Sequence, residues 1–387
     1  MDLDGILETK TTTAFRTYRF TELDEGAPAA VSSAPPAEAP EVVEAGRTAI
    51  RPVLSKLTEN FDLDRNEIFS VIHAINDGAL TDVQIAGFLI GLMNKGPSIG
   101  EVAHIAEAMR EVAIPVPVTT NAELTDTCGT GGGLTTFNVS TANSIMAAAA
   151  GIKVAKHGSR SISSPSGSAD VLEALGVSLE PTAEQAGKLI DDIGIAFLYA
   201  PNFHPVMGKV FGPENQLGIK TIFFTIIGPL INPAKARNHT LGVYQPELVP
   251  MIAKVAAEMD FNHVLVSHGM DGLDELSLLG KTSIADVRGG EVRYDEVVPE
   301  DFGFKRCSIE DIAGGSPEYN AKVITELFAG RERGPKRDFL VLNNAATLYV
   351  SGRAASIADG IAQAEDLLDS GAATAKLAEL VSATRAL

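Results

Sequence analysis

The chain of 387 residues is short of three things, and each shortage narrows what it does. Only two cysteines occur, Cys128 and Cys307, far apart and without CxxC or Cys/His spacing, so neither a zinc cage nor a disulfide framework is indicated and a reducing cytoplasm fits. Basic residues are scarce. With 31 Lys+Arg against 50 Asp+Glu the net charge is −19, and such a surface repels phosphate backbones and anionic lipid unless a local basic patch overrides it. Neither nucleic acid nor a membrane is an expected partner. Long apolar runs are also missing: residues 85–93 and 222–227 fall well short of the roughly 20 residues that span a bilayer. The N-terminus opens Met1-Asp2-Leu3-Asp4 with no basic, then apolar, stretch behind it, so no secretory signal is expected and the protein is read as soluble and cytoplasmic.

What is present is the composition of an ordinary globular protein, 45% hydrophobic and 21% charged. Residues 26–45 are Ala, Pro, Ser and Glu with little to bury, which predicts an extended mobile linker and makes residues 1–50 a flexible appendage. Within it, residues 15–20 carry three aromatics and two arginines, read either as a docking motif or as a stub without a function of its own. From Ile50 onward apolar residues recur at helical spacing: Val53, Leu54 and Leu57, then Ile68, Val71, Ile72 and Ile75, then Ile85, Phe88, Leu89 and Leu92. Thr81 and Asp82 stand where an N-cap belongs, Gly78 and Gly96 where helices stop, and a further helix is expected over 100–111. A small α-helical domain is therefore expected over 51–115, completed by helices near 182–210.

After Val116 the texture becomes glycine-rich turns, β-branched runs and intervening helices, which predicts a larger α/β domain over 116–387 with a mainly parallel central sheet. Strands are expected at 154–155, 195–198, 263–267 and 339–342, and helices at 140–150, 169–175, 250–259 and 354–370.

Three stretches carry chemistry. In the first, Asp126-Thr-Cys-Gly-Thr-Gly-Gly-Gly-Leu-Thr-Thr-Phe-Asn-Val-Ser-Thr141, Gly129, Gly131, Gly132 and Gly133 leave backbone N–H groups unshielded ahead of a helix whose positive end favours a phosphate. Asn138, Ser140 and Thr141 add side-chain donors at the helix start. Alone, such a loop is as often a mere turn as a phosphate cradle. The second stretch, Lys156-His-Gly-Ser-Arg-Ser-Ile-Ser-Ser-Pro-Ser-Gly-Ser-Ala-Asp170, puts two cations and several hydroxyls after a short strand, where ligands bind in α/β sheets. Lys156 can neutralise a phosphate, Arg160 can clamp it or hold the loop, and Ser168 opens the next helix. The third, Ser267-His-Gly-Met-Asp-Gly-Leu-Asp-Glu-Leu-Ser277, sets Asp274 beside Glu275. A lone acidic pair is usually a solvated surface, but beside phosphate loops it is a natural Mg²⁺ site.

Together with APNFHPVM, IGPLINP and GLDELSLLGKTSIADV, these blocks make the chain from about Val53 onward resemble the anthranilate phosphoribosyltransferase family. The resemblance implies a homodimer with a small helical domain and a larger α/β domain of the nucleoside-phosphorylase type. The implied reaction is Mg²⁺-dependent displacement of pyrophosphate from 5-phosphoribosyl diphosphate (PRPP) by the amino group of anthranilate, a step towards tryptophan. Carried onto this sequence, Gly129, Gly132, Gly133, Thr136, Asn138, Ser140, Thr141, Lys156 and Ser168 would hold PRPP. Ser140, Asp274 and Glu275 would handle Mg²⁺, and Gly129, His157, Ser159 and His204 would line the path of the aromatic amine. No covalent nucleophile is expected; His157 and His204 are the nearby proton acceptors.

Three positions depart from the family pattern. The aspartate after GTGG is absent and the loop is one residue short at Gly132-Gly133-Leu134; Ser159 replaces the asparagine of KHGNR; and Glu214 or Asn215 stands where an arginine for the anthranilate carboxylate belongs, with Lys209 and Lys220 as possible substitutes. These departures keep two other readings open, a PRPP-dependent transferase with another aromatic or amine acceptor and a noncatalytic binding or regulatory paralogue. A nucleoside phosphorylase fits the FHP, IGPLINP and DE segments less well.

Overall fold

A computed structural model of the chain describes residues 40–161 and 164–387, without the side chains of residues 40–43 and 45. The 15–20 motif and most of the linker reading therefore lie outside the described residues. The described chain divides into two compact units, one reaching to Val112 and including Pro205–Phe224, the other formed by Ala113–His204 and Thr225–Leu387.

The first unit is all helical: Pro40–Thr58, Arg65–Asn76, Asp82–Lys95, Ile99–Glu111 and Pro205–Leu217. Three successive helices open with a reciprocal capping box, Asp64 with Glu67, Thr81 with Gln84 and Ser98 with Glu101, which satisfies free N–H groups at each start. Glu101 is itself buried, and its carboxylate also accepts from Leu63 N and pairs with Lys95 at 2.7 Å. The predicted apolar stripes, Ile68, Val71, Ile72 and Ile75 with Ile85, Phe88, Leu89 and Leu92, are buried.

Two expected boundaries move. The first helix begins at Pro40, inside the stretch read as linker, because Ile50, Val53 and Leu57 continue backward as one amphipathic run to the buried Gly46. The segment that completes the unit is Pro205–Phe224 rather than 182–210. The helix Ala183–Ile193 belongs to the second unit, where Ala186, Leu189 and Ile190 pack with Ala155, Ala196 and Leu198.

The second unit carries a seven-stranded sheet, β1 (Leu124–Asp126), β2 (Lys153–Gly158), β3 (Ile195–Tyr199), β4 (Asn238–Gly242), β5 (His263–Gly269), β6 (Thr282–Arg288) and β7 (Glu291–Val297), in the order β3-β2-β1-β4-β5-β6-β7. β1 to β5 run parallel to one another, β6 is antiparallel to β5 and β7 to β6, so the expected mainly parallel sheet is present. The chain winds outward to one side from β1 to β3 and to the other from β4. β1 is thus the switch point, and the loops leaving the carboxyl ends of β1 and its neighbours open the crevice where such sheets bind ligands.

The stretch 339–342 is not a strand. Phe339, Leu340, Val341 and Leu342 lie in the helix Pro335–Val350, buried on all sides, so the run is apolar without helical alternation and reads like a buried strand. Pro335 at its first turn and the length of the element identify it as a helix. Phe339 meets Phe137 edge to face, ring centroids 6.1 Å apart. Among the described residues no helix is long and apolar enough to cross a membrane.

Phe339→Ala is expected to remove about 3–5 kcal/mol of stability. A urea titration checks this; a loss below about 1 kcal/mol would mean that this helix is not a pillar of the core.

Candidate active site

The first glycine-rich loop leaves β1 and crosses the end of β4 and the turn after β5 at van der Waals distance. A Cβ on Gly242, the last residue of β4, would sit 1.4 Å from Asp274 O; one on Gly129 would sit 2.9 Å from Gly242 O; one on Gly133 would lie 2.7 Å from Asp274 Oδ1. Three glycines therefore let three backbones meet, and the approach is tied by Thr130 N donating to Gly242 O (2.9 Å) and Leu134 N to Gly272 O (2.9 Å). Gly131 and Gly132 take φ of 64° and 88°, the left-handed region that bulkier residues avoid, and both are exposed. The phosphate-type loop and the acidic pair thus share one small region.

The missing aspartate has a steric counterpart. The shortened loop draws position 133 onto residues 272–274, where any side chain would collide.

Asp274 and Glu275 are partly buried, and both carboxyls are pushed above their ordinary range, first by burial. Glu275 is raised further by the charge of Asp274, and its Oε2 is buried with no hydrogen-bond partner. Such a pair calls for a cation, and two adjacent carboxylates with an orphaned oxygen fit a hard divalent ion. The pair is held by Asn343, whose carboxamide donates to Leu276 O (3.0 Å) and accepts from Leu276 N (3.1 Å). The same helix grips the one that follows the glycine loop: Asn143 donates to Thr347 Oγ1 at 2.8 Å and accepts from Asn344 at 2.9 Å.

The second loop supplies Lys156, buried, its Nζ donating to Thr127 O at 3.2 Å. Next to it, His157 Nδ1 donates to Gly228 O (3.2 Å), which leaves Nε2 as a bare acceptor, buried and unpartnered. His204 follows the short helix Ala200–Phe203, its ring edge-on to His157 with centroids 5.0 Å apart and both nitrogens buried without partners. Burial depresses both imidazoles, His157 well below 6.5 with help from His204, and His204 to about 4. They are therefore neutral bases at pH 7.

Other predicted residues have structural duties. Arg160 pairs with Asp170 and Glu173, both at 2.9 Å, so of its two expected uses it holds the loop. Asn138 is not a free donor: it gives its N–H to Ser166 O and accepts from Ser166 Oγ and Asn320 Nδ2, joining the second loop to the helix Pro317–Phe328. Thr141 Oγ1 is buried and unpartnered, Ser140 and Thr136 are partly exposed, and Thr136 bridges to Ala313. Ser168 Oγ donates to Ser159 O at 3.3 Å, while Ser159 is exposed. In the helical unit Glu214 is buried and accepts from Thr221 N at 2.8 Å, and burial raises its pKa, so it closes its own turn instead of presenting a surface charge. The two expected substitutes for the arginine are engaged there too, Lys209 with Asn76 O and Lys220 over the ring of Phe224.

Comparison with known proteins agrees with this geometry. Residues 121–374 match the α/β domain of a glycosyl transferase family and residues 51–113 its helical bundle domain. An anthranilate phosphoribosyltransferase of Laribacter hongkongensis is 47% identical over 335 residues, 86% of this chain and 97% of that protein. The chain belongs to the anthranilate phosphoribosyltransferase family. The family's enzyme from Thermus thermophilus superposes with a TM-score of 0.80 at 39% identity, covering 86% of this chain and 99% of that one. The Saccharomyces cerevisiae enzyme, solved in complex with PRPP and Mg, gives 0.79 at 27% identity over 89% and 100%.

Sequence reasoning missed Gly242, Asn343 and Asn143. The signal for the last two is an asparagine inside a helix, a poor helix former kept where its amide has a task.

The packing and burial of the site make two outcomes measurable. Gly242→Ala is expected to displace Asp274 and to lower stability by more than about 2 kcal/mol, read by thermal melting; an unchanged melt would mean that the crossing is loose. His204 is expected to titrate near 4 by NMR. Because its folded value lies below the unfolded 6.5, stability is full above 6.5 and falls as the pH drops towards 4, by up to roughly 3 kcal/mol from this residue.

Proposed function

We propose that the chain transfers the phosphoribosyl group of PRPP to the amino group of anthranilate with release of pyrophosphate, requires Mg²⁺, and serves tryptophan biosynthesis in the cytoplasm. The observation that carries this reading is the meeting of the Gly129–Gly133 loop with Asp274, at the side-chain-free contact of Gly133. Identity of 42–47% over 97–99% of the length of anthranilate phosphoribosyltransferases supports the same reading.

In this account Gly129, Gly132, Gly133, Thr136, Asn138, Ser140, Thr141, Lys156 and Ser168 form the PRPP site, several through backbone N–H groups or by holding the loops. Ser140, Asp274 and Glu275 would hold Mg²⁺, which when bound neutralises charge on the diphosphate as it leaves. Gly129, His157, Ser159 and His204 line the acceptor path. The bond from the anomeric carbon to the diphosphate oxygen breaks, a bond to the amine nitrogen forms, and the nitrogen sheds one proton. Neutral His157, with its bare Nε2, and neutral His204 are suited to take it. Lys156 and the loop amides face the charge that develops on the leaving oxygen, and that stabilisation together with positioning supplies most of the rate.

The oligomer proposed is a homodimer. The helix Asp82–Lys95 buries one face inside its own unit, yet Val83 is 81% exposed and Ile90, two turns on, is exposed as well. An apolar stripe of this kind is suited to a second copy.

Mixing the chain with PRPP, Mg²⁺ and anthranilate is expected to abolish anthranilate fluorescence only when all components are present. No loss at high concentration of folded protein would overturn the acceptor. Lys156→Ala, and separately Asp274→Asn with Glu275→Gln, are each expected to lower kcat/KM by at least about 10²-fold. Since burial disfavours the charged form of both carboxyls, Mg²⁺ binding is expected to tighten with rising pH, and calorimetric titration with Mg²⁺ at several pH values measures that trend.

A further inference from the structure

Strands β1 and β2 pair through Leu124↔Lys153 and Thr125↔Val154, and the register goes no further, although β2 continues to Gly158 beside β3. Past Thr125 the ladder between the two strands ends, which leaves buried backbone groups on β2 without rungs to β1. Two side chains take their place. Asp126 Oδ1 accepts from His157 N (3.2 Å) and Thr127 N (2.7 Å), while Asn232 Nδ2 donates to Ala155 O (2.8 Å). The two side chains are joined, Asn232 Nδ2 also donating to Asp126 Oδ2 at 2.8 Å, and Asn232 Oδ1 accepts from Ala234 N at 2.9 Å. Asp126 is fully buried and Asn232 nearly so.

We propose that Asp126 and Asn232 are a positioning pair for the transfer: a clamp that replaces the missing rungs between β1 and β2 and fixes Lys156 relative to the glycine-rich loop. The inference rests on the reading of Lys156 as a PRPP ligand. Lys156 lies between the two clamped backbone groups, Ala155 O and His157 N, and its ammonium rests on the carbonyl of Thr127, whose N–H the same carboxylate holds. The clamp thus sets both the root and the resting point of that cation, without touching substrate.

One other use of the cluster is disfavoured by its bonds. Asp126, Cys128 and His157 bring potential metal-ligating atoms within 4.8 Å of one another. Both oxygens of Asp126 already accept N–H bonds, and burial pushes the Cys128 thiol up to about 12, so this is a backbone clamp and not a cation cradle.

The test measures PRPP affinity by calorimetry with Mg²⁺, together with KM values, on the full chain. Asn232→Ala is expected to weaken PRPP about tenfold or more while leaving KM for the acceptor within about twofold. In a Lys156→Ala background the same change is expected to add little, because the clamp acts through that lysine. Losses that multiply independently, or that fall equally on both substrates, overturn the clamp. Should Asn232→Ala fail to fold, Asp126→Asn serves: it keeps an acceptor for the two N–H groups but sets two amide donors face to face. The exchange Asp126→Asn with Asn232→Asp again opposes donor and acceptor between the two side chains but leaves Ala155 O without its amide donor, so PRPP affinity is expected to stay low, and full regain overturns the proposal. Absence of PRPP binding by the unaltered chain removes the underlying reading, whereas its binding with independent losses removes the clamp alone.

Discussion

Backbone must reach backbone at the head of the sheet. Gly129, Gly133 and Gly242 carry no Cβ, and this allows the loop after β1, the end of β4 and the turn bearing Asp274 to occupy the same few ångströms. The consequences run in two directions. Downward, the crossing is tied to the core by Asn343 and Asn143 on and against the helix Pro335–Val350, so stability and site geometry depend on the same asparagines. Upward, exposed amides, a buried lysine and a carboxylate pair in want of a cation converge at the switch point of a parallel sheet, where electrostatic stabilisation of a leaving diphosphate is strongest because little reorganisation is needed.

The electrostatics of the site divide by sign. Burial raises Asp274 and Glu275 and depresses His157 and His204. Each shift has the same origin, the cost of charge away from water, yet the chemical results differ. In the proposed reading the carboxyl pair takes a divalent ion, and the imidazoles serve as neutral bases beside the aromatic acceptor. In a chain of net charge −19, the polyanion site proposed here depends on local donors rather than on the overall field.

Much of this was legible in the sequence because the chemistry sits in contiguous stretches. Gly129–Gly133 and Asp274–Glu275 are ambiguous singly and gain meaning from their company with Lys156–Ser168, and the capped helices of the first unit follow their apolar period. What was not legible depends on contacts far apart in sequence. The helix Pro335–Val350 passed for a strand at 339–342 because burial on every side erases the periodicity that separates the two. β1 is only three residues long, and β4 begins Asn238-His239, so neither shows an apolar run. The β6–β7 hairpin did carry a signal, Gly289-Gly290 between two alternating segments. Glu214 could be noticed as an unexpected residue, but only the fold reveals that its carboxylate closes the turn at Thr221.

The central claim is that one crossing of glycine loops places diphosphate, cation and lysine together. A crystal structure of the chain soaked with PRPP and Mg²⁺ tests it most directly. The account predicts diphosphate oxygens on the amides of residues 129–133, the cation on Asp274 or Glu275, and Lys156 Nζ within hydrogen-bond distance of PRPP. PRPP bound elsewhere, or a cation held without either carboxylate, would contradict it.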